Sequence, residues 1–71
     1  MLTIKAETNA GDEIDNTFNE AVTLANKLQC YVEFNFNGVV CIACPDGNPE
    51  KGASAYHDAI NTKGLHKIAM S

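Results

Sequence analysis

Hydrophobic and polar positions recur at two different periods along this chain, and the changes of period mark out its elements. Leu2, Ile4 and Ala6 alternate with Thr3, Lys5 and Glu7, the period of a half-buried strand. The stretch NAGD at residues 9–12 ends it. Ile14, Phe18, Ala21, Val22, Ala25 and Leu28 then recur at steps of three and four, which places them on one stripe of a helix. Thr17 and Glu20 have the spacing of a capping box, and Asp12, Glu13 and Asp15 supply negative charge at the positive end of the helix dipole. The helix is expected to begin between residues 13 and 17.

Alternation returns in CYVEFNF, residues 30–36, and again in VVCIAC, residues 39–44, around Asn37-Gly38, a pair suited to the two positive φ angles of a tight hairpin. A two-residue turn makes opposed positions sum to 75, so Phe36 faces Val39, Phe34 faces Cys41 and Val32 faces Ala43. One face then carries Cys30, Val32, Phe34, Phe36, Val39, Cys41 and Ala43, the expected core. The other carries Tyr31, Glu33, Asn35, Val40, Ile42 and Cys44. After Pro45-Asp46-Gly47, Asn48 can cap a second helix with Pro49 at its first position, Glu50 in its first turn, and Ala53, Tyr56, Ala59 and Ile60 facing inward. Gly52 weakens that helix by about 1 kcal/mol relative to alanine. Gly64 offers a stop, and LHKIAM, residues 65–70, reads as a short closing strand.

The order β-α-β-β-α-β over residues 1–71 predicts one α+β domain. In topology it resembles the ferredoxin-like sandwich, which implies a four-stranded antiparallel sheet with both helices on one face and the third strand central. On that plan Tyr31, Val40, Ile42 and Cys44 form an apolar strip on the uncovered face, edged by Lys5, Glu7, Glu33 and Asn35. Such patches tend to be interfaces, unless the C-terminal segment covers the strip.

Composition narrows the function classes. In 71 residues there are nine acidic and five basic side chains, for a net charge of −4. Every basic residue is lysine, so the arginine fork that grips phosphates and guanine edges is missing. Residues 1–36 hold six acids and two lysines (−4), and residues 37–71 hold three of each (0). This balance disfavours direct nucleic-acid binding and suits a protein partner with a basic surface. Three cysteines cannot all pair within one chain, and residues 1–15 show neither a basic nor an apolar leader segment, so a reduced, cytoplasmic protein is expected. No apolar run reaches the roughly 18 residues that span a bilayer.

Cys41 and Cys44 have the Cys-x-x-Cys spacing of metal and redox sites, with His57 and His66 downstream. Two residues three apart on one strand point to opposite sides of a sheet, so these cysteines read as small hydrophobes, and no metal or cofactor is expected. The heavy-metal-associated domains share the topology but carry their cysteines before the first helix, where this chain has NAGDEID. Acylphosphatases need an arginine that is absent here, and RNA-recognition motifs need aromatics on the third strand, where VVCIAC has none. No catalytic set emerges.

Two function classes remain open. One is a non-enzymatic interaction protein that docks through the sheet strip (Tyr31, Glu33, Val40, Ile42 and Cys44) and the acidic helix start (Asp12, Glu13 and Asp15), with homodimerisation relieving its small core. In size, acidity and α+β plan the chain resembles small phage-encoded accessory proteins, including anti-CRISPR and other anti-defence inhibitors; that resemblance implies binding and blocking a host protein. The other class is an oligomeric protein that sequesters a small molecule or nucleotide, with Asn48, Lys51, Gly52, Ser54, Tyr56 and His57 as the anion or ligand site at the second helix start.

Overall fold

In the computed structural model, which describes residues 2–8, 13–61 and 68–71, the hairpin forms as the Asn-Gly pair requires. Asn37 and Gly38 take φ of 49° and 81°, the left-handed geometry of a type I′ turn. This turn joins strands β2 (Tyr31–Phe36) and β3 (Val39–Ala43) in antiparallel register, with Val32 opposite Ala43, Phe34 opposite Cys41 and Phe36 opposite Val39. The expected pairing therefore holds residue by residue.

Strand β1 (Thr3–Ala6) and helix α1 (Ile14–Leu28) precede this hairpin, and helix α2 (Pro49–Asn61) and strand β4 (Ile68–Met70) follow it. Residues 9–12 and 62–67 lie outside the described residues, and with them Asp12, Gly64, His66 and the first half of the expected last strand. Helix α1 begins at Ile14, so Thr17 sits a full turn inside it. Its hydroxyl donates back to the carbonyl of Glu13 at 2.8 Å, and the expected Thr17–Glu20 capping box does not form. The helix ends at Gln29, whose φ of 51° is left-handed, and the Cys30 amide donates to the Ala25 carbonyl at 3.2 Å. Helix α2 starts as expected: the Asn48 side-chain oxygen accepts from the Glu50 amide at 2.9 Å, with Pro49 in the first helical position.

The sheet departs from the ferredoxin-like plan. Its strand order is β1-β2-β3-β4, with β1 parallel to β2, β2 antiparallel to β3 and β3 parallel to β4. A ferredoxin-like sheet becomes antiparallel because another strand lies between the two that a helical crossover joins. Here each crossover joins immediate neighbours, which must then run parallel. The sheet is mixed for that reason.

Both helices cover one face. Phe18 of α1 meets Phe34 edge to face at 5.1 Å, and Tyr56 of α2 meets Phe36 at 5.3 Å, from the same side of β2. The two crossovers progress in the same direction across the sheet while their strands run oppositely, so helices on a shared face require crossovers of opposite hand. One of the two is left-handed, a rare arrangement, since about 98% of such connections are right-handed. Had both been right-handed, the two helices would have lain on opposite faces.

The core between helices and sheet is built from Ile14, Phe18, Ala21, Val22 and Ala25 of α1, Val32 and Phe34 of β2, Val39, Cys41 and Ala43 of β3, Ala53 and Tyr56 of α2, and Ala69 of β4. Leu28, expected on the buried stripe, is about half exposed. The helices meet closely at Gly52, where an added Cβ would come within 2.5 Å of the Phe18 ring. Tyr56 accepts a hydrogen bond on its hydroxyl from the Asn37 side chain at 2.9 Å, tying α2 to the hairpin turn. Among the described residues no helix is long and apolar enough to cross a membrane.

Candidate functional site

Strand alternation sends Thr3, Lys5, Tyr31, Glu33, Asn35, Val40, Ile42, Ile68 and Met70 to the outer face, opposite the helices. The register pairs Val40 with Ile68 and Ile42 with Met70, which makes a two-by-two apolar block on β3 and β4. Ile68 and Met70 are 58% and 51% exposed, and Val40 and Ile42 are partly exposed. No element among the described residues lies across this face. The β1–β2 half is polar, with Lys5 and Glu33 paired at 3.9 Å across the two strands. Exposed as that pair is, it contributes little to stability.

The expected strip is thus assembled at Val40 and Ile42, with half-buried Tyr31 and Glu33 on the neighbouring strand. Cys44 follows the end of β3, half-buried, and its amide donates to the Ser71 hydroxyl at 2.9 Å. The Ser71 amide donates in turn to the Ile42 carbonyl at 3.1 Å, so Ser71 is held beside β3. Ile68 and Met70 were missed as interface residues because LHKIAM alternates poorly. Their signal was the small Ala69 between two large apolar residues, the parity of a strand with one buried position.

The acidic residues do not join this surface. Glu13 and Asp15 are exposed at the start of α1, in the helix layer on the far side of the sheet. Asp12 lies outside the described residues. A partner contacting both regions would have to reach around the domain.

The second group separates as well. Gly52 and Tyr56 face the core, one against Phe18 and the other against Phe36, while Lys51, Ser54 and His57 are exposed on the solvent side of α2. Asn48 uses its side-chain oxygen on the helix start. Gly52, expected in an anion cradle, is the contact point of the two helices. The neighbouring turn is fixed by packing too: the Asp46 amide donates to the Asn26 side-chain oxygen, and a side chain at Gly47 would collide with Ser71.

The three cysteines are free. Cys41 is fully enclosed, and burial pushes its thiol up from an ordinary 9.0 to about 12. Such a thiol stays protonated at neutral pH and is neither a nucleophile nor a ready metal ligand. Among the described residues no group of three His, Cys, Asp or Glu side chains is placed to hold a metal ion. Compared with protein-family models, curated proteins and solved structures, the chain matches none.

Proposed function

We propose that this chain is a non-enzymatic protein-binding module whose working surface is the outer face of the β3–β4 half of the sheet. The carrying observation is that Val40, Ile42, Ile68 and Met70 form a contiguous apolar block on a face that no helix among the described residues covers. Regular strands hold the four side chains, so the surface is preorganised and little ordering opposes docking. The polar β1–β2 half supplies a rim, the usual surround of a docking patch. Occupying a partner's surface is enough to inhibit it, and the acidity of the chain suits partners that handle nucleic acid, as in the phage accessory proteins it resembles. A second copy is the simplest occupant of the same face.

Affinity capture with the tagged chain tests the proposal, using Ile68→Lys and Met70→Lys in parallel. Both residues are already about half exposed, so the lysines leave the fold intact while placing charge in the patch. Proteins retained by the native chain and lost by both variants support docking through this face. Retention of every captured protein by both variants would overturn it. Light scattering on the same set reports the self-pairing arm, which predicts a native dimer and variant monomers.

A further inference from the structure

A second surface lies on the opposite side of the sheet, at its β1 edge. The close crossing at Gly52 holds α1 toward α2, over β2 and β3, so no helix among the described residues covers the inner face of β1. Leu2 is 81% exposed and Ile4 38%, although both have the parity of core residues. Leu24, which lines the space between α1 and β1, is 37% exposed. Between strand and helix runs an open cleft floored by Ala6, Ala21, Val32 and Phe34 and rimmed by Glu7 and Glu20. Neither glutamate is ion-paired among the described residues.

The backbone of β1 is open on the same side. It pairs only with β2 among the described residues, and the Leu2 carbonyl accepts from the Tyr31 amide at 3.0 Å. Successive residues of a strand direct their amide and carbonyl to alternate sides, so if residue 2 bonds to β2, residues 3 and 5 present theirs to the free edge. A free strand edge beside an apolar groove under a helix is the geometry of strand addition, in which main-chain bonds give affinity and alternate side chains enter pockets.

We propose that this edge binds an extended, basic segment of a partner protein, added as a fifth strand beside β1. Its alternate apolar side chains lie in the groove beside Ile4 and Leu24, and a lysine or arginine at the far end meets Glu7 and Glu20. Charge selects this occupant over a second copy of the chain, because the rim is acidic and each copy carries a net charge of −4. The proposal is independent of docking on the outer face, which lies on the other side of the sheet.

The test uses the full chain and a synthetic peptide of alternating valine and lysine, with a valine-glutamate peptide as its counterpart. Nitrogen-edited NMR should show shifts at the amides of Thr3, Lys5 and Leu24 with the lysine peptide, and fluorescence anisotropy should show weaker binding at roughly 300 mM than at roughly 50 mM salt. Lys5→Pro removes an amide that faces the free edge without removing a bond to β2, and should weaken binding about tenfold. Glu20→Lys, on the exposed helix surface, should weaken it roughly fivefold at low salt and decides the matter if the proline variant fails to fold. Shifts confined to Val40, Ile68 and Met70, equal binding of the glutamate peptide, or indifference to both substitutions would overturn the proposal. So would self-association of the native chain that Lys5→Pro abolishes, since a second copy would then own the edge.

Discussion

On β3, Val39, Cys41 and Ala43 are completely enclosed, while Val40 and Ile42, between them and at least as apolar, remain partly exposed. Neighbouring residues on one strand thus meet opposite surroundings. Hydrophobicity alone does not decide which face of a sheet is covered; the placement of the helices does. In this chain that placement depends on the opposed hands of the two crossovers, which put α1 and α2 together and leave the outer face uncovered by any described element. The apolar residues there lie outside the core between helices and sheet, and this is why a docking surface is proposed for them.

Phe18→Ala should cost about 3–5 kcal/mol in a denaturant titration, a large share of the stability available to a domain of this size, because Phe18 is fully buried against both Phe34 and Gly52. Gly52→Ala should cost about 1–3 kcal/mol despite alanine's better helix propensity, since the methyl has no room beside the Phe18 ring. A gain in stability would mean that the helices can separate freely.

Cys41 separates the faces by pH. Its folded thiol ionises near 12 instead of 9.0, so its contribution to stability is whole below about pH 9 and is lost as the pH climbs toward 12. The native chain should therefore lose up to about 1.4 kcal/mol per pH unit in that window relative to Cys41→Ala. Parallel pH profiles for the two proteins would show that the thiol is not sealed. The smallest effect belongs to the outer face: Ile68→Lys should change unfolding free energy by no more than about 0.5 kcal/mol. A larger loss would show that the strip is folding surface after all.

The sequence was most legible where one local rule decided the outcome. Asn37-Gly38 determined the hairpin register, and Asn48-Pro49 determined the start of α2. Strand order was not legible, because whether a crossover returns beside its own strand or one slot further depends on how helices pack, and no local period encodes that. Thr17-Glu20 matched a capping box in spacing, but Ile14 needed burial and drew the helix start forward. Gly52 could be recognised as a weak helix former. Its contact with Phe18, 34 positions earlier, could not.

The same distance along the chain separates the paired strands in each half: Thr3 faces Tyr31 and Val40 faces Ile68, both 28 positions apart (31 − 3 and 68 − 40). Equal spacing invites a reading of the domain as one strand-helix-strand unit copied twice. Units of opposite hand cannot be superposed by any rotation, and a copied segment would keep its hand. Residues 2–36 and 39–71 are therefore two separate solutions to the same span, so exchanging one half for a duplicate of the other should not rebuild the domain.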